Sequence, residues 1–160
     1  ILISIAIILL LLQLMPRHND NISTAATLHS IDKAHQIPAE VMESLKKSCY
    51  DCHSNNTYYP WYANVQPVSN WLNHHIEEGR DELDFSTFGD YSIRRQYHKL
   101  AEMKEQLEDH EMPLSSYTLI HREAVVSPEK QTLIIGWIDQ LRDSFKTVYP
   151  QDSLIRKRRS

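Results

Sequence analysis

The chain has 160 residues, 41% of them apolar, and a formal charge of −4, enough for one small core and too little for a second sizeable domain. Three isolated glycines, Gly79, Gly89 and Gly136, exclude Gly-rich phosphate loops and dinucleotide fingerprints and make a hairpin-rich β fold unfavourable. Four of the seventeen basic residues fall in Arg156–Arg159, so residues 16–155 carry thirteen basic against twenty-one acidic side chains, a balance of −8, which argues against nucleic acid as a partner.

Ile1–Met15 is apolar except for Ser4 and Gln13. As a helix it spans roughly 22 Å against a hydrocarbon core of roughly 30 Å. With no initiator Met, upstream residues are expected, and the stretch reads as a transmembrane anchor or a signal segment. Pro16, Arg17 and His18 stand where a signal peptidase wants small residues, and Ser23-Thr24-Ala25 lies far downstream, so an uncleaved anchor is the leading reading. A buried core helix is the third option. The first two readings place the body on the extracytoplasmic, periplasmic face.

Residues 16–37 are polar and aperiodic and read as a tether, with His18, His29 and His35 solvated. Pro38 opens a short helix through Val41, Met42, Leu45 and Cys49. Pro67 opens another, with Val68, Trp71, Leu72, His75 and Ile76 on one face and Gly79 near its end. Ile93, Tyr97, Leu100, Lys104 and Leu107 mark an amphipathic helix over about 92–110, stopped by Pro113. Ser127 and Pro128 cap and start a last helix whose stripe is Leu133, Ile134, Trp137, Ile138, Leu141 and Phe145. No segment alternates as a strand. The expected body is an all-α domain over residues 38–147 with long loops at 54–66 and 80–91, followed by a basic tail at 148–160 that reads as solvated. Loops that long call for something large to pack against.

The cysteines, Cys49 and Cys52, are too close to staple a fold and sit in Cys49-Tyr50-Asp51-Cys52-His53, a C-x-x-C-H run. This is the attachment pattern of c-type haem: two thiols reach two vinyl groups of one macrocycle, and the following histidine lies beneath the iron. A thioredoxin-like dithiol would need a βαβ context that is absent. A zinc site would need further ligands, and a disulfide closing two residues gains little loop entropy. An extracytoplasmic location suits haem attachment and a chain without spare cysteines. For the sixth position on the iron, Met112, next to Pro113 beyond a helix end, is the first candidate, His75 the alternative and His121 the third. Trp61, Tyr62, Arg80, Trp71, Tyr117 and Trp137 are candidate pocket or propionate contacts. Glu108, Asp109 and Glu111 would make the approach to Met112 negative.

The stretch from Cys49 to Ser86, with C-x-x-C-H-S-N-x-T, Y-P-W-Y, Q-P-V-S, H-I-x-x-G-R and D-F-S, resembles the bacterial haem-binding domain family of short membrane-anchored proteins, and the likeness continues through Met112-Pro113, Tyr117, His121 and the Trp137 helix. The resemblance implies one covalent haem c on Cys49 and Cys52 with His53 proximal. It also implies a small cytochrome c-like helical domain behind a membrane tether, with Asn55, Thr57, Pro60, Trp61, Tyr62, Pro67, His75, Gly79 and Arg80 as pocket or framework residues. Asp84 stands where Asn would be expected, which bears on one local hydrogen bond.

These readings converge on a membrane-tethered monohaem cytochrome that passes single electrons to a redox protein partner, an electron carrier rather than a catalyst. The alternatives are a haem peroxidase or a gas or redox sensor with an open sixth position, and a zinc-stabilised binding module.

Overall fold

Two helices with long apolar stripes organise the molecule, α6 (Ile93–Glu108) and α8 (Pro128–Val148). Both begin at a serine whose hydroxyl takes a first-turn amide: Ser92 Oγ accepts from Arg95 N–H at 3.3 Å, and Ser127 Oγ from Lys130 N–H at 3.4 Å, replacing partners that a helix start lacks. Tyr97, Leu100, Met103 and Leu107 of α6 meet Ile134, Trp137, Ile138 and Phe145 of α8. Helix α3 (Ala39–Ser48) adds Val41 and Leu45 against α8. Full burial of each such aliphatic chain contributes roughly 1.5–3 kcal/mol.

This computed structural model describes residues 1–15, 21 and 28–155, and among them it is helical with no strand, as the all-α reading expects. Short elements complete it: α1 (Leu2–Leu12), α2 (Ile31–Ala34), α4 (Tyr50–His53), α5 (Val68–Glu82), α7 (Ser115–Thr118) and α9 (Gln151–Leu154), with 3₁₀ turns at Trp61–Asn64, Phe88–Asp90 and Arg122–Ala124. Pro38 and Pro67 each precede the first helical residue rather than occupying it, a one-residue difference at ends that fray.

Four expectations are corrected by packing. The body begins before residue 38: Ile31 is fully buried in the core, and its amide donates to the Phe85 carbonyl at 2.8 Å. His35 is half-buried between the Phe88 and Phe145 rings and bonds Gln96 at 2.8 Å; His29 is exposed beside Asp90, and His18 lies outside the described residues. The 80–91 segment is not an open loop, since α5 continues to Glu82 and both Phe85 and Phe88 are buried. At the other end α9 folds onto α6 with Leu154 buried, and Arg94 reaches the Ser153 and Asp152 carbonyls; Arg156–Arg159 lie outside the described residues.

Helix α1 has eleven residues, apolar on every side, and none is buried. No helix among the described residues is long and apolar enough to cross a membrane. The carboxamide of Gln13, just past its end, pairs with the Gln66 backbone, Nε2 donating to the carbonyl at 2.9 Å and Oε1 accepting from the amide at 3.0 Å.

Candidate functional site

Cys49 ends α3, and the chain then makes one further helical turn, α4, in which the Cys52 and His53 amides both donate to the Cys49 carbonyl, at 3.2 and 2.9 Å. Positions i, i+3 and i+4 share one side of a helical turn, so C-x-x-C-H presents two thiols and an imidazole together. Both cysteines are free and half-buried. Burial, with Cys52 beside it, pushes the Cys49 thiol up to about 12; burial and Asp51 push Cys52 up to about 11. Both are neutral thiols near pH 7, the opposite of the depressed thiolate that dithiol exchange uses.

Helix α5 lies directly on this turn. Its approach depends on Gly79, where a Cβ would sit 2.8 Å from the Cys52 carbonyl oxygen. His53 Nδ1–H donates to the Gly79 and Leu83 carbonyls at 2.8 and 2.9 Å. That pair of acceptors selects the tautomer and leaves Nε2 as the nitrogen with a free lone pair, the arrangement that orients a metal-binding histidine. Burial holds His53 below its ordinary value of 6.5, with the two carbonyls opposing in part, so the ring is neutral at pH 7.

The residues after the motif are tied by their side chains to backbone groups. Thr57 Oγ1 donates to the Asp51 carbonyl at 2.6 Å, and the Asn55 amide donates to Ser86 Oγ at 2.9 Å. Arg80 donates from Nε to the Ser54 carbonyl at 2.8 Å and from Nη2 to Thr57 Oγ1 at 2.9 Å. Arg80 therefore braces the turn. Asp84 accepts from the Ser86 amide on Oδ1 at 2.7 Å and from the Thr87 hydroxyl on Oδ2 at 3.2 Å, so both carboxylate oxygens are used where an Asn would offer one acceptor.

Two cavities of about 450 and 530 Å³ open on the motif and share Ser48, Cys49, His53, Glu82, Met112 and Pro113. They form a two-lobed cleft within the range of roughly 300–1,000 Å³ usual for sizeable ligands. Met112 lines both lobes, and His75 lines the lobe that also contains Cys52 and Tyr117. The structure thus brings Cys49, Cys52, His53, Met112 and His75 to one space. Glu108, Asp109 and Glu111 do not line the cleft; Glu82, Glu102 and Glu105 do, together with Lys99, which pairs with Glu82 and Glu102 at 2.9 and 2.8 Å.

Several aromatic expectations are not met. Trp61 is 79% exposed and Trp71 about half, and Trp137 is buried between α8 and the chain before α3, its indole N–H on the Gln36 carbonyl at 3.1 Å. Tyr62 belongs to a neighbouring cluster, its hydroxyl bonded to His121 Nε2, while His121 stacks on Tyr117 at 4.4 Å between centroids. Sequence reasoning missed Asp51, which stands between the cysteines and accepts from the Tyr117 hydroxyl at 2.6 Å and the Tyr58 amide at 3.0 Å. It also missed Phe85 and Met103 as lining; the D-F-S block held the signal for Phe85.

The family model described as the haem-binding domain matches residues 7–140. The chain belongs to that family. No curated protein and no solved structure matches the chain. Haem is accordingly the cofactor of this haem-binding domain, and the cleft suits it on three independent counts: its size, the thiols at its edge, and an imidazole pre-set by two carbonyls. Among the described residues no group of three or more His, Cys, Asp and Glu side chains is arranged to hold a metal ion.

Proposed function

We propose that this haem-binding domain holds one haem c covalently through Cys49 and Cys52, with His53 as proximal and Met112 as distal ligand, and serves as a membrane-tethered, extracytoplasmic carrier of single electrons. The observation that supports it best is the doubly anchored His53 Nδ1 beside two neutral thiols on one side of a single helical turn. Bound haem supplies one-electron chemistry at its iron. The protein's part is to fix ligands and exclude water: the Gly79 and Leu83 carbonyls orient His53, and Leu83, Phe85, Met103 and Leu107 line an apolar wall. Met112 and Pro113 close the cleft from the segment after α6, where a thioether ligand would raise the reduction potential and leave no open site. The tether assigns to α1 the role of anchor, and the electron acceptor or donor is a separate redox protein.

The test is expression with and without the cytochrome c maturation machinery, followed by haem staining of a denaturing gel. Stain that survives denaturation only with maturation is expected. Its absence after maturation removes the covalent assignment. His75 is favoured as the alternative distal ligand because it borders the same lobe. Oxidised protein should show the weak red Met-to-iron band, lost in Met112→Ala and kept in His75→Ala; a low-spin parent without that band, unchanged in Met112→Ala and turned high-spin in His75→Ala, transfers the role to His75. Ready carbon monoxide binding by the parent at neutral pH would instead favour a sensor or peroxidase.

A further inference from the structure

In a chain whose charged residues make up 24% of the total, residues 54–76 contain no Asp, Glu, Lys or Arg. That stretch supplies the 3₁₀ turn Trp61–Asn64 and the start of α5, and it leaves large apolar side chains in solvent: Tyr58 74%, Trp61 79%, Val65 39%, Val68 37% and Trp71 48% exposed. Five exposed apolar side chains within one uncharged stretch of a small domain are the kind of surface that docks against something apolar.

What covers it is indicated by α1. A helix apolar on all sides belongs inside a core or a bilayer, and no residue of α1 is buried by the rest of the chain. The two-way pairing of Gln13 with the Gln66 backbone ties the end of this helix to the chain between the exposed Val65 and Val68. Tryptophan and tyrosine side chains concentrate where hydrocarbon meets headgroups, since their rings are apolar and their N–H or O–H needs a partner. We infer that the Tyr58–Trp71 face rests on the lipid headgroup boundary, so that α1 and this face together hold the domain in one orientation on the bilayer. Trp71 packs edge-on against His75 at 4.6 Å, which sets one edge of the cleft beside the membrane surface. This rests on the membrane-anchor reading and adds to it a specific face.

The haem-loaded full chain is reconstituted in phosphatidylcholine–phosphatidylglycerol vesicles, with the phosphatidylcholine acyl chains either plain or brominated, and tryptophan emission is compared. Trp137, buried in the α6–α8 core, is an internal reference. Emission at least twofold weaker in brominated vesicles is expected, with most of that loss absent in Trp61→Phe/Trp71→Phe. A chain that floats with the vesicles while Trp61 and Trp71 stay open to acrylamide and blind to bromolipid overturns the face and leaves the anchor. A chain that fails to float overturns the anchor and the face with it. Protection of both tryptophans that rises with protein concentration and is accompanied by cross-linked pairs overturns the bilayer in favour of a second copy.

Discussion

Around α6 and α8 the interior is apolar from Ile31 to Leu154, whereas beneath the C-x-x-C-H turn the buried apolar residues are Ala63, Leu72 and Ile76, edged by Cys52, Tyr59 and Tyr62. The first region is held by side-chain burial between long helices. In the second, short turns are held by side chains bonded to backbone, as at Thr57, Arg80 and His53, and Asn55 Oδ1, Ser69 Oγ and Asn73 Nδ2 are buried with no hydrogen-bond partner among the described residues, against Arg142 Nε alone in the first. A buried polar atom without a partner costs about 1–3 kcal/mol. One region can stand on its own packing. The cleft lies between the two, with Leu83, Phe85, Met103 and Leu107 of the first cluster on one side and Cys52, His75 and Gly79 on the other. The second region is thus the one that lacks a full apolar partner, and a ligand that binds only the folded form stabilises it by mass action.

The largest test of this contrast is Cys49→Ser/Cys52→Ser. Covalent haem on denaturing gels should vanish entirely, and amide exchange should accelerate through residues 50–90 while the interior amides of α6 and α8 keep their protection. Uniform loss of protection would mean that the two regions do not differ as described. Ile138→Ala should act the other way round, removing a fully buried side chain from the helix pair and costing about 2–5 kcal/mol in urea unfolding, with the haem spectrum of the remaining folded fraction unchanged. Gly79→Ala comes next, since its Cβ meets the Cys52 carbonyl at 2.8 Å. A small-to-large change of this kind costs typically about 1–3 kcal/mol; here it should also shift the haem absorption bands by disturbing the carbonyl that orients His53. A parent-like spectrum would show that α5 yields without moving the histidine.

The same contrast explains what could be read from the chain. The α6 and α8 stripes repeat at helical spacing with a serine ahead of each, and both helices lie where the pattern puts them because burial and capping are local rules. C-x-x-C-H was legible for a related reason: three residues in one turn share a side whatever surrounds them. Trp61 and Trp137 were not legible, because a tryptophan's type does not distinguish a core, a cleft and an exposed face. Asp51 and Ile31 were missed since their partners, Tyr117 and Phe85, come from far along the chain. The carbonyls of Gly79 and Leu83 leave no mark in sequence, being backbone atoms whose position depends on how α5 lands on α4.

The smallest expected effect is a pH dependence belonging to the apolar region. His35 sits between Phe88 and Phe145 with one hydrogen bond to Gln96. Burial lowers its pKa below the ordinary 6.5, and the Gln96 bond opposes this only in part. Below pH 6.5 the unfolded chain therefore takes up a proton that the folded chain resists. Since stability rises with pH wherever the unfolded state binds more protons, this contribution is complete above 6.5 and is lost as pH falls towards the lower folded value. In His35→Gln the ring is gone, so the decline of Tm between pH 7.5 and pH 5.5 should be shallower than in the parent protein. In the haem-loaded parent, where the proposed ligation withholds His53 from protonation, acid-induced amide exchange should appear first around α2 and the Phe88 turn, before the α4–α5 contact. An unchanged slope in the variant would place the acid sensitivity elsewhere and remove His35 from the account.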